Sequence, residues 1–188
     1  MTLLGRQPGW VTLACVVCLT LAGIGFIPLG LPARIRRDYG VAIPESRFQY
    51  TRENLARFVK TLGPDGVAMY LRQLSWDFVL AFAVAGCLFP ILDAWWVGSL
   101  AEHVWWRQLV WLPMAYLAFD LAEDLYLRML AHDLCAGRSP AKLSYVLAGV
   151  FTTAKFLSLA ASLLLAVVGG VLIVLNGPGG TNLDWWVR

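Results

Sequence analysis

The sequence predicts an all-α integral membrane protein, a four-helix transmembrane bundle with a short amphipathic surface helix between its first two spans. Three observations carry this. Of the 188 residues, 59% are apolar and only 14% are charged, with a mean hydropathy of +0.66, so a water-soluble domain of this size would expose far too much apolar surface. Four apolar stretches each reach the roughly 20 residues that a helix needs to cross about 30 Å of hydrocarbon with its backbone satisfied. Paired tryptophans and clustered arginines stand at their ends, as expected where a chain leaves the bilayer.

The first span is expected at about 10–31. Arg6 ahead of this run suggests a cleaved signal peptide, but the run is too long for an h-region and no small-x-small site closes it. The second span is expected at about 74–96, with Asp77 and Asp93 near its two ends, and the third at about 106–127. Between them crowd Trp95, Trp96, Trp105 and Trp106, marking one membrane face. The apolar run from Leu143 to Leu175 would extend about 50 Å as a helix, more than one crossing requires, so the fourth span is placed at 150–175 and its first turns are expected to tilt or emerge. Gly177 and Pro178 break that helix, and Trp185 and Trp186 return to the interface. The whole chain, 1–188, is one transmembrane domain.

The polar connection 32–70 holds the amphipathic helix. Thr51 is its N-cap, Leu55, Phe58, Val59 and Leu62 form an apolar face, and Gly63-Pro64 ends it. With Arg52, Arg57 and Lys60 opposite, the helix is expected to lie on the bilayer beside anionic headgroups. Basic residues number eleven in the segments after spans one and three, including Arg34, Arg36, Arg37, Arg138 and Lys142, against Arg6, Arg107 and Arg188 on the other side. That bias places both connections in the cytoplasm of a multi-pass cell-membrane protein and both termini outside. The net charge of +3 argues against nucleic acid, and the expected partners are membrane lipids together with a membrane-protein partner or a second copy of the chain.

Chemistry is concentrated in the third span, where Asp120, Glu123, Asp124 and Arg128 stand at i, i+3, i+4 and i+8 and gather on one side of a helix. An isolated acid at a helix centre costs roughly 2.5–3.5 kcal/mol in a membrane, so three within five residues call for partners. Arg128 is one such partner, for Asp124. Asp77 and Lys155 lie at similar depth, about 27 and 32 Å from the tryptophan-marked face against 21–26 Å for Asp120 and Glu123. Lys155 also belongs to a polar stripe with Thr152, Ser158 and Ser162. One cluster of Asp77, Asp120, Glu123, Asp124, Arg128 and Lys155 is therefore expected, with four acids against two bases, so that at least one acid holds a proton or is solvated.

Cys15 and Cys18 form a C-x-x-C pair, but Cys87 falls inside span two and Cys135 on the opposite face, so no second pair serves a redox relay. His103 and His132 lie at helix ends and no Cys/His spacing suggests zinc; neither metal nor cofactor is expected. The run Leu62-Gly63-Pro64-Asp65-Gly66, then Tyr70 and Asp77, then Asp120-x-x-Glu123-Asp124, resembles a group of uncharacterised bacterial four-helix membrane proteins. In that group an Arg follows the second glycine and an Asn the glutamate, where this chain has Val67 and Asp124. The resemblance implies that Asp77, Asp120 and Glu123 belong together, and it implies no activity. Three functions fit the residues: handling of protons or a polar ligand by the cluster, lipid modification by the same carboxylates, or a helper subunit whose charges are structural.

Overall fold

The computed structural model describes residues 30–46, 50–93 and 108–176. The described residues are all-helical, with no strand: α1 (Leu31–Tyr39), a 3₁₀ turn (Pro44–Ser46), α2 (Arg52–Leu92), α3 (Leu112–Cys135) and α4 (Lys142–Asn176). Two of these helices, α2 and α4, are long and apolar enough to cross a membrane. Most of the predicted first span, the tryptophan-rich connection, Cys15, Cys18 and the tail after Asn176 lie outside the described residues.

Gly30 and Leu31, placed above at the end of the first span, instead open α1, with Gly30 at the N-cap and Pro32 in the first turn, where its missing N–H leaves no bond unmade. Gly40 ends it with φ +69° and donates its N–H to the Arg36 carbonyl at 3.0 Å. Thr51 caps α2 by accepting the Asn54 N–H at 3.2 Å. Twelve residues after Thr51, Gly63, at φ +62° and ψ −174°, breaks the helical path, and Pro64 starts a second segment that runs on to Leu92. Gly66 then gives α1 its seat. A Cβ there would sit 2.9 Å from the ring of Tyr39.

The face Leu55, Phe58, Val59 and Leu62 is buried in protein and does not lie on lipid. It packs with Ile35, Tyr70, Leu127, Leu130, Ala131, Tyr145 and Ala148. The reason is the length of its neighbours. α3 continues eight residues past the expected end at Leu127, and α4 begins eight residues before 150, so both extend far enough to meet that face. The bond from Arg52 to Ser139 Oγ, at 2.7 Å, ties the start of α2 to the α3–α4 connection.

α3 is the central helix, packed against both α2 and α4. Its buried positions, Tyr116, Leu117, Asp120, Glu123, Asp124, Leu127, Leu130 and Ala131, recur every three or four residues. α4 buries Tyr145, Ala148, Thr152, Lys155, Ser158 and Ser162 at the same spacing. A second apolar cluster, Ala81, Ala85, Tyr116 and Leu117, closes the far side. Polar and charged side chains thus form a layer between two apolar ones.

The conformation of Gly63 lies where essentially only glycine is found, so Gly63→Ala should destabilise the protein by about 1–3 kcal/mol. Gly86, helical and with open space around its Cα, supplies the control: Gly86→Ala should leave the unfolding midpoint in detergent unchanged or raise it. Equal losses from both substitutions would contradict the kink.

Candidate functional site: a buried carboxylate-lysine cluster

Lys155 sits at the centre of the polar layer and is 6% exposed. Its Nζ donates to Asp120 Oδ1 at 2.7 Å and lies 2.5 Å from Glu123 Oε2. The second contact is off the hydrogen-bonding directions and is coulombic. The i, i+3 spacing on α3 lets both acids reach one ammonium from a single helix face. The ring of Phe156 lies 5.7 Å from Nζ on the other side. Lys155 therefore does not snorkel to an interface.

The other Glu123 oxygen, Oε1, takes the Tyr50 hydroxyl at 2.6 Å and lies 2.5 Å from Thr152 Oγ1. Thr152 has one proton and three acceptors within reach, since Tyr50 Oη and the Ala148 carbonyl lie at 3.0 and 2.9 Å. Burial, reinforced by the charge of Glu123, pushes the Tyr50 phenol far above its ordinary range, so it remains a donor. Ser158 and Ser162, the rest of the expected stripe, donate to carbonyls of their own helix and leave the acids to Lys155, Tyr50 and Thr152.

Asp77 from α2 comes to the same layer. One oxygen each from Asp77, Asp120 and Asp124 lie within 4.8 Å of one another. Asp77 is half-buried and the other two are 2% exposed. Neither Asp124 oxygen has a hydrogen-bond partner, nor has Asp120 Oδ2. Lys155 is the cation that acts on Asp77, Asp120 and Asp124.

Arg128 does not join them. Its guanidinium donates to Ser75 Oγ at 2.9 Å on a partly exposed edge, and the expected pair with Asp124 is not formed. Eight residues turn an α-helix roughly 80° past a whole number of turns, so Arg128 falls at the rim of the face that holds Asp120. The expected balance of four acids against two bases becomes four against one.

Two participants were not visible as such in the sequence. Glu45, on the 3₁₀ turn, buries its Oε2 beside Tyr70 and interacts with Asp77, Glu123 and Lys155. Burial pushes its carboxyl up to about 8, and the negative charges of Asp77 and Glu123 push the same way. In a polar, basic connection that also holds Asp38, Glu53 and Asp65, such an acid looks like a solvated charge, and the return of α1 over the bundle end brings it inward. Tyr50 had a readable signal: it precedes the Thr51 N-cap, with Leu55 at N4, which is the pattern of a hydrophobic staple.

Two outcomes test this geometry. Lys155→Met should lower stability by roughly 3–5 kcal/mol by leaving buried acids uncompensated, and adding Asp120→Asn or Glu123→Gln should restore part of that loss. Additive effects in the double-mutant cycle would refute the pairing. For Glu45, the folded state keeps a proton that the unfolded chain, titrating at 4.5, has lost. Its contribution therefore falls as pH rises from about 4.5 to about 8 and is flat beyond. Unfolding midpoints across that window should depend less on pH in Glu45→Gln than in the wild type, and parallel profiles would contradict the burial.

Comparison with protein-family models, with curated proteins and with solved structures returns no match to this chain.

Proposed function

We propose that this chain is a multi-pass protein of the cell membrane whose buried carboxylate-lysine cluster handles protons. The observation that carries the reading is the charge imbalance: Asp77, Asp120, Glu123 and Asp124 share one layer with Lys155 as their cation. Two acids contact the ammonium, and Asp124 has no hydrogen-bond partner at all. A low-dielectric interior does not hold three excess negative charges, so some of these acids carry protons, and a layer with several protonated acids around one ammonium can take up and give off protons.

The membrane setting rests on where the apolar surface lies. Val79, Phe82, Leu157, Leu164 and Val167 are each roughly half exposed or more, along faces of α2 and α4 that no described residue covers. α3 fails a hydropathy test only through acids that point inward, while Met114, Leu125 and Met129 face out, so it suits a third span. With the predicted span at 10–31 this makes four. The first and third connections meet at one end through the Arg52–Ser139 bond, which supports their lying on one side of the bilayer, and their arginines favour the cytoplasmic side.

Purified protein in liposomes, loaded with a pH-sensitive dye and given a potassium diffusion potential, should acidify or alkalinise faster than empty liposomes. Asp124→Asn should cut that rate at least tenfold, and Glu53→Gln, at an exposed acid, should leave it unchanged. Rates equal to those of empty liposomes would overturn the reading. For orientation, a reporter active only in the cytoplasm should stay silent when fused after Arg188, and strong activity would invert the topology.

A further inference from the structure

The oxygens left without partners are not spread evenly around the cluster. Lys155 and Thr152 serve Asp120 Oδ1 and Glu123 from the α4 side. Among the buried oxygens without a hydrogen-bond partner, Asp120 Oδ2 and both oxygens of Asp124 belong to the group formed with Asp77, and Gln73 Oε1 comes from one turn before Asp77; the others are Glu45 Oε2, Glu123 Oε2 and the hydroxyls of Tyr70 and Tyr145. Tyr70 and Gln73 are 0% and 2% exposed. They stand seven and four residues before Asp77, on the same face of α2; Tyr70 lies beside Glu45 at the cap, and Gln73 is one turn from Asp77. A buried polar atom left unpaired is costly, so unpaired carboxylate oxygens grouped within reach of one ion point to a ligand that satisfies them together.

We infer that Asp77, Asp120 and Asp124, with Gln73 beside them, form a site for a hard divalent cation. The donor set is all oxygen, with neither nitrogen nor sulfur, which suits magnesium, manganese or calcium and disfavours softer metals. The spacing fits as well. Two ligands of one cation at metal–oxygen distances of about 2.1–2.4 Å lie at most about 4.2–4.8 Å apart, and the three carboxylate oxygens fall within 4.8 Å of one another. Half-buried Asp77 gives the site its open side, where remaining positions take water. A divalent ion also offsets two of the three negative charges by which the acids of this layer exceed Lys155.

This inference rests on the reading of the cluster as a proton-handling site and deepens it by naming a second ligand. The test uses the full chain in detergent and Mn²⁺ as the probe, read by electron paramagnetic resonance. One Mn²⁺ per chain should bind and raise the unfolding midpoint. Asp77→Asn and Asp124→Asn should each weaken binding at least tenfold and abolish the midpoint shift, while Asp65→Asn, at an exposed acid, should change neither. Both cluster variants relieve repulsion, and their own unfolding midpoints show whether they fold. Binding that is equally tight in folded Asp77→Asn and Asp124→Asn, or absent from the wild type, would overturn the site. In the second case, proton movement in liposomes that persists leaves the proton-handling reading standing. Specific Mn²⁺ binding in a protein that moves no protons in liposomes would support the site and sink that reading instead.

Discussion

The ammonium of Lys155, held between Asp120 and Glu123 across the α3–α4 contact, is the interaction on which the arrangement depends. In the membrane setting proposed above, two long helices with apolar outer faces gain little by choosing one register over another, because hydrocarbon solvates their side chains equally well. A buried ion pair removes that freedom. Any slip of α4 along α3 would leave a charge facing hydrocarbon or an apolar layer, at a cost of several kcal/mol. The alternation of layers follows: Leu127, Leu130 and Ala148 close one side of the charges, and Ala81, Tyr116 and Leu117 close the other. The pair also fixes chemistry, since a lysine spent on two acids acts on Asp77 and Asp124 only through space and leaves both Asp124 oxygens without a hydrogen-bond partner.

The bundle end formed by α1, the 3₁₀ turn and the first segment of α2 makes the layer inaccessible from that side. The break at Gly63 lets one continuous stretch serve as both end cap and long helix, changing direction where a glycine tolerates φ +62°. Tyr50 and Glu45 then project from the cap toward Glu123, so the cap contributes a hydrogen bond to the cluster as well as a seal. A cleft of about 210 Å³ lies against the cap and is lined by Tyr50, Asn54, Arg57 and Thr61. Tyr50 thus has one side toward the cleft and its hydroxyl on Glu123, separating the cluster from solvent by one side chain.

Much of this was legible in the sequence because it is written in spacing. The positions of Asp120, Glu123 and Asp124 on one face, the polar stripe through Lys155, the Thr51 cap and the Gly63-Pro64 break all follow from helical periodicity and local backbone preference. What periodicity does not carry is how far a helix continues once it leaves the apolar run. α3 passes Leu127 by eight residues, and the first turns of α4, expected to tilt or emerge from the bilayer, start at Lys142; together they turned an expected lipid-facing surface at Leu55 and Phe58 into core. Arg128 was misassigned for a related reason: one turn from Asp124 is near enough to pair along a helix, yet the neighbouring Ser75 on α2 offers the guanidinium a partner at the rim. Glu45 and Tyr50 depend on tertiary return of the chain, which no local pattern specifies, although the staple position of Tyr50 came close.

Lys155 is buried and bound to carboxylates. The chain has three lysines, Lys60, Lys142 and Lys155, which makes this contact directly measurable by nuclear magnetic resonance of protein labelled with ¹⁵N-lysine and ¹³C-aspartate and glutamate. One ammonium of the three should exchange its protons slowly with water, correlate through space with an aspartate and a glutamate carboxyl carbon, and vanish in Lys155→Met. Three ammonium groups in fast exchange, with no carboxyl correlation, would contradict it.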